Sequence, residues 1–363
     1  MKIQSPTLIL DEQICRKNIE KMSVKAKANE CIFRPHFKSH QSIEVGKWFR
    51  DYGVDKITVS SVQMAKYFSD DGWKDITIAI PVNVSEIENI NKLAKTIQLN
   101  LLVDSIEAIE FLNAHLESNV GVFIKVDTGY HRTGIISENF EQMDEIVNSL
   151  SATKRIDFLG FLTHSGHTYE ANSIIEMRMI YEDAVLKLKL LRERYSSQHS
   201  SLILSYGDTP SLSTMDEFSG LDEIRPGNFV FFDLMQKNLG VCGFDDIAMS
   251  IACPVISKSI ERSECVIYGG AVHFSKESSI NIFGQRSYGQ IIRINDTIVK
   301  SQDEIHLSSI SQEHGIIKVS SAMLQSLKLG DIIYISPIHS CLSANLHKYY
   351  LKTTKQKILK YSQ

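Results

Sequence analysis

The run CIFRPHFKSH (31–40) brings a short apolar strand to its end and crowds Arg34, His36, Lys38 and His40 around Pro35. No GxGxxG follows it, so the Gly-rich turn of a doubly wound dinucleotide-binding sheet is missing where that fold would carry it. From this strand onward, short β-rich runs alternate with longer segments whose apolar residues recur every three or four positions, the pattern of βα units on a parallel sheet. Strands are expected at 32–36, 56–60, 75–81, 99–104, 120–127, 158–163, 202–206 and 224–233. Helices are expected at 12–29, 62–69, 85–96, 107–116, 140–150 and 173–196. Eight such units in about 230 residues match a (β/α)8 barrel, which typically takes about 250. After Leu239 the helical period gives way to short alternating runs at 252–256, 265–267, 288–294, 315–319 and 331–336, separated by Gly, Ser and Asn. The expected architecture is α/β: a TIM-type (β/α)8 barrel over 1–236 and a smaller, mostly antiparallel β domain over 237–363.

Composition narrows the function. The 363 residues are 43% hydrophobic and 23% charged with a formal net charge of -4, which gives no concentrated basic surface for nucleic acid or an anionic membrane. The basic tail, Lys348, Lys352, Lys355, Lys357 and Lys360, reads as a solvated helix or a frayed end. The first residues, MKIQSPTLIL, lack the apolar run of a signal peptide and no later stretch is long enough to span a bilayer, so a cytoplasmic protein is expected. Cysteines at 15, 31, 242, 253, 265 and 341 form no CxxC pair and are expected to be reduced thiols.

In a (β/α)8 barrel the reactive groups sit at the C-terminal ends of the strands. Lys38 ends the first. Asp127, Thr128 and Arg132 end the fifth in KVDTGYHRTG (125–134), and His164, His167 and Tyr169 end the sixth in THSGHTY (163–169). GDTPS (207–211) ends the seventh, and Arg225 opens the eighth in EIRPGNF (223–229). Each has a bland reading: a surface lysine, a hydrogen-bonded structural histidine, an Asx-turn in which Asp208 or Ser211 caps the next helix. Independent bland readings do not predict that all would share one rim. GDTPS also reads as an anion site, with Thr209 and Ser211 as donors, because barrel phosphate sites favour the loops after strands seven and eight. A phosphate at strand seven and a lysine at strand one are neighbours around a closed barrel, the arrangement that pyridoxal phosphate requires.

RPHFKSH, KVDTGYHRTG, THSGHTY, GDTPS, EIRPGN, SQEHG and ISPIHSCLSANL, running nearly end to end, resemble the fold-type III pyridoxal phosphate enzymes, and within them the D-serine dehydratase/D-threonine aldolase group. The resemblance implies an alanine racemase-like barrel with a β domain, a homodimer, and a small D-amino acid as substrate. It implies that Lys38 is the Schiff-base lysine, that Arg132 lies near the cofactor's phenolic oxygen and Arg225 faces its pyridine nitrogen, and that His164 lies against the ring. Tyr169 with Gly207, Asp208 and Thr209 would hold the phosphate. His339 and Cys341 resemble the family's HxC or HxD metal motif, although spacing alone would equally give a buried cysteine beside a capping histidine. Thiolate plus imidazole suits zinc better than magnesium or manganese, with another divalent cation as the alternative. Cysteine at 341 matches the dehydratase pattern, where the aldolase pattern has aspartate.

The implied reaction is D-serine to pyruvate and ammonia, with Lys38 taking the Cα proton and the cation activating the β-hydroxyl. The alternative is retro-aldol cleavage to glycine and an aldehyde, with His167 as base, and an amino acid racemase is the alternative from another class. His273 in GGAVHF (269–274) is expected to contact substrate, and Glu313 and His314 to support the metal. Ser39 and Gln41 stand where the common pattern has Thr and Lys, which bears on the choice of substrate.

Overall fold

Ile32 and Phe33 pair in parallel with Ile224 and its neighbour Glu223 on one side. Three residues on, His36 bridges in parallel to Thr58 on the other. This is how the barrel shuts. In the computed structural model, which describes residues 3–281, 283–299 and 305–361, the barrel strands are Ile32–Phe33, Lys56–Val59, Asp75–Pro81, Gln98–Val103, Val120–Asp127, Ile156–His164, Ile203–Gly207 and Glu223–Ile224. They follow one another in the spatial order one, eight, seven, six, five, four, three, two, all parallel. The two ends of that path meet through the 31–40 run, where Phe37 N–H donates to the Thr58 carbonyl and Thr58 N–H to the Pro35 carbonyl.

The first and eighth strands are shorter than the sequence suggests, and proline is the reason. Pro35 and Pro226 have no N–H to give the ladder. Beyond Ile224 the chain leaves extended structure for a 3-10 turn at Asn228–Val230, so the strand expected to reach 233 is absent. The helices Val62–Asp70, Ile106–His115, Phe140–Ser151 and Ile174–Tyr195 each begin with a side chain, Ser61, Ser105, Asn139 or Ser173, that accepts a first-turn N–H. A helix the periodicity did not suggest, Ile43–Arg50, follows strand one and buries Trp48 and Phe49.

By its contacts the chain forms two units. One unit is Ile19–Phe229; the other joins residues up to Asn18 to those from Val230 onward. In this second unit the central strand, Met249–Ser259, pairs antiparallel with Thr7–Leu10, Ile332–Pro337 and Glu264–Tyr268. Thr7–Leu10 pairs in parallel with Tyr349–Lys352, which turns back as Lys357–Leu359. The tail is thus ordered sheet. Tyr350, Leu351 and Ile358 are buried, and Lys352 donates to Glu12 at 2.6 Å. The expected solvated helix or frayed end is overturned because apolar tail residues face both sides of a strand: Leu351 packs with Ile9 and Ala252, and Tyr350 meets Phe231. All six cysteines are free thiols, with Cys242 and Cys341 half-buried and the rest buried.

Candidate active site

The 31–40 run sends successive side chains to different tasks. Arg34 is 4% exposed and turns into the barrel, where its guanidinium meets Glu223 at 2.5 Å and Asp75 at 2.6 Å. Phe37 and His40 face a buried aromatic cluster with Phe49, Phe68 and Trp73; His40 stacks on Phe49 and so frames the strand end. Lys38 is exposed at the strand's C-terminal end. Its ammonium, after burial itself, is the largest influence holding both His36 and His164 well below the ordinary imidazole pKa. Arg132 adds to the effect on both. The structure therefore gathers Lys38, His36, His164 and Arg132 on one rim.

Tyr130 organises the middle of that rim, a role the sequence reading missed. The Arg132 guanidinium lies 5.0 Å from its ring centre, His164 meets it edge-on at 5.8 Å and His167 stacks with it at 6.1 Å. Residue 166 is glycine because a Cβ there would come within 2.4 Å of the Tyr130 ring. His164 Nδ1 donates to the Gly207 carbonyl at 2.5 Å, which fixes the neutral tautomer with its lone pair on Nε2. His167 Nδ1 is buried and has no hydrogen-bond partner among the described residues.

The turn after strand seven is held from within. Asp208 accepts from Ser211 N–H and Oγ at 2.7 Å and from Tyr206 OH at 2.5 Å. Burial lifts its pKa to about 6 in spite of these bonds. Its carboxylate holds the turn from within, and the Ser211 hydroxyl donates to it. Thr209 N–H donates to Tyr169 OH at 3.4 Å, and Thr209 Oγ1 accepts from Gly227 N–H at 3.2 Å, which ties the loops after strands six, seven and eight together. Arg225 is 5% exposed; it donates to the Thr163 carbonyl at 2.5 Å and to Ser205 Oγ. Burial lowers its pKa to about 10, so it stays cationic at neutral pH.

A further cation escaped the sequence reading. Lys125 lies in Val120–Asp127, a strand buried at every position, and burial with Arg225 nearby brings its pKa to about 7. The signal was available: one lysine within the otherwise apolar run VGVFIKV.

In the second unit, His339 precedes the helix Ser340–Asn345 and its Nδ1 accepts the Cys341 N–H at 3.2 Å. Asp233, fully buried, accepts Ser340 N–H at 2.8 Å and lies 3.8 Å from His339 Nδ1. Among the described residues no group of three His, Cys, Asp or Glu side chains stands ready for a metal. His339 and Cys341 nevertheless present an imidazole and a thiol two residues apart, borderline-soft donors that fit zinc and leave further positions for water or substrate. The turn Ala271–Phe274, carrying His273, is pinned to the same helix: Ser343 Oγ donates to the Phe274 carbonyl at 2.9 Å, and His347 Nε2 lies 3.1 Å from the His273 carbonyl. Glu313 is 4.0 Å from His273, which places it by the expected substrate contact.

Comparison with known proteins agrees with this layout. Residues 10–234 match the family model described as alanine racemase, N-terminal domain, and residues 248–353 the putative serine dehydratase domain. A D-serine dehydratase of Dictyostelium discoideum is 29% identical over 96% of this chain and 93% of its own length. The solved D-threo-3-hydroxyaspartate dehydratase of Delftia sp. HT23 superposes with a TM-score of 0.90 at 25% identity, covering 99% of this chain and 98% of its own. A cysteine-to-alanine variant of that dehydratase is described in a metal-free form. A 3-hydroxy-D-aspartate aldolase of Paracoccus denitrificans is 22% identical over 98% of this chain and 90% of its own length. The chain belongs to the alanine racemase-like, fold-type III pyridoxal phosphate family, in the branch that carries a serine dehydratase domain after the barrel.

Proposed function

We propose that this protein binds pyridoxal 5'-phosphate at Lys38 and a zinc ion at His339 and Cys341, and that it removes ammonia from a β-hydroxy-D-amino acid, D-serine foremost, to give pyruvate. The observation that carries the reading is the cationic rim: Lys38, Arg132, Arg225 and Lys125 converge with two neutral histidines at the strand ends. Such a set fits a ligand bearing a phosphate and a phenolate, and the orphaned His167 Nδ1 marks a polar position that a ligand would complete. When bound, pyridoxal phosphate supplies an electron-withdrawing ring that acidifies Cα–H, and a divalent cation supplies a Lewis acid for a departing hydroxyl.

The chain's own residues do the rest. Lys38 would accept the Cα proton as the β-hydroxyl departs, so that the two are lost together as water. Arg132 would hold an anionic oxygen from the position that Tyr130 gives its guanidinium. His164, neutral and fixed through Nδ1, would lie against the ring without adding charge. Arg225 stays cationic and would meet the ring nitrogen; its donors to Ser205 and Thr163 hold it in place. Tyr169, Gly207 and Thr209 would hold the phosphate, with Asp208 shaping their loop. His273 would contact substrate. The protein would act in the cytoplasm as a homodimer on a small-molecule substrate; among the described residues no helix is long and apolar enough to cross a membrane.

The test is a panel of D- and L-β-hydroxy amino acids offered to cofactor-supplemented protein, with and without chelator. Keto acid from D-serine that disappears with chelator is expected, along with an absorbance band near about 420 nm that Lys38→Ala abolishes. Aldehyde with glycine would assign aldol cleavage, with His167 as base, and interconversion of D- and L-isomers would assign racemisation. Absence of the band from supplemented protein would sink the reading altogether.

A further inference from the structure

We propose that Lys360 is a positioning residue for the metal motif: its ammonium locks the C-terminal end of the helix Ser340–Asn345 and so fixes the Cys341 sulfur for a divalent cation. The proposal rests on His339 and Cys341 being the ligands.

Lys360 follows the last strand, Lys357–Leu359, and is 7% exposed. Its Nζ donates to the Ala344 carbonyl and, at 3.0 Å, to the His347 carbonyl, and it lies 5.3 Å from the centre of the Tyr350 ring. The first of these carbonyls belongs to the last turn of the six-residue helix that begins one residue after His339, and the second lies two residues past its end. A helix so short has hardly any internal hydrogen bonds, and its last carbonyls need outside donors. A cation at that end also complements the helix dipole. At the other end Asp233 accepts both the N–H and the hydroxyl of Ser340. The helix is therefore clamped by a buried carboxylate at its start and a buried ammonium at its finish.

The hold on the helix is a hold on the sulfur's position: Ala344, whose carbonyl accepts from Lys360, lies three residues after Cys341 in the same six-residue helix. The His347 ring on the same side is neutral, drawn down to about 4 by burial, and adds no competing charge.

The experiment measures zinc affinity of the full-length protein by competition with a chromophoric chelator, alongside amide hydrogen exchange over residues 340–347. Wild type is expected to bind zinc in a manner that Cys341→Ala abolishes. Lys360→Met, which keeps an apolar stem against Tyr350, is expected to bind zinc about 10-fold more weakly or worse and to exchange faster over the helix even without metal. Lys360→Arg is expected to restore both. Lys360→Gln, which keeps a donor and loses the charge, makes the same comparison if the Met variant does not fold. Unchanged or tighter zinc binding by Lys360→Met, with Cys341→Ala still inactive toward zinc, overturns the proposal and leaves the ligand assignment standing. Undiminished binding by Cys341→Ala overturns both.

Discussion

His347 shows how a single buried side chain sets an acid limit. Burial lowers its pKa from the ordinary 6.5 to about 4. Between those values the unfolded chain binds a proton that the native chain refuses, so the stabilisation is complete above about pH 6.5 and is lost as the pH falls toward 4. His36 and His164 are shifted in the same direction. Each can contribute a slope of up to about 1.4 kcal/mol per pH unit in that window. Urea denaturation across a pH series should show falling stability below about pH 6.5, and His347→Gln should flatten the slope. Lys125 offers a second expectation: with its pKa near 7, its side chain should titrate as pH rises through neutrality, read by the NMR shift of the lysine Cε, and Lys125→Met should remove that titration. Lys38, the strand-end histidines and the HxC pair stand out as candidates because their neighbours are short motifs. Lys125 carried a signal that was passed over; Tyr130 and Asp233 carried none, because what gives them meaning is a ring stacked against one and a helix brought to the other from a hundred residues away.

Among the elements, strand six and the first strand carry the strongest constraints. Gly160 has φ +140, and a Cβ there would lie 2.2 Å from the Ile203 carbonyl oxygen, at the bulge where strand six shifts register against strand five. Gly160→Ala should cost more than the roughly 1–3 kcal/mol of backbone strain alone, as read by the denaturation midpoint. Arg34 joins strands one, three and eight through Asp75 and Glu223; Asp75 in turn meets Lys56 and Asn100, and Glu223 receives Ser205. Arg34→Met should destabilise the protein by about 3–5 kcal/mol, because it takes the guanidinium from two buried carboxylates, leaving Glu223 without its ion pair and Asp75 with Lys56 alone. Arg34→Lys should recover little, since an ammonium cannot span both. Long apolar strands such as Asp75–Pro81 and Val120–Asp127 were legible to the residue, whereas Ile43–Arg50 was missed and the prolines near strands one and eight were underweighted.

For the molecule as a whole, the two ends of the sequence matter more than their composition suggests. Thr7–Leu10 and the tail strands look unremarkable alone, and periodicity within either stretch does not reveal that each supplies the other's hydrogen bonds across more than three hundred residues. A pattern of charges at a chain end was read as solvation; the structure uses Lys352 and Lys360 as buried fastenings. Removing residues 348–363 should abolish cooperative folding of the second unit, seen as loss of its protected amides by hydrogen exchange, because Tyr350, Leu351 and Ile358 leave the core together.

The placement of Thr7–Leu10, flanked by Met249–Ser259 on one edge and Tyr349–Lys352 on the other, also imposes a timetable during synthesis. The strand is translated more than three hundred residues before its second neighbour, a wait on the order of tens of seconds at ordinary elongation rates. Residues 19–229 can complete their own sheet in that interval, while an apolar strand remains without an edge to join. A nascent chain stalled before residue 349 should therefore display a protease-sensitive N-terminal segment beside an already protected barrel, and releasing the stall should close both together.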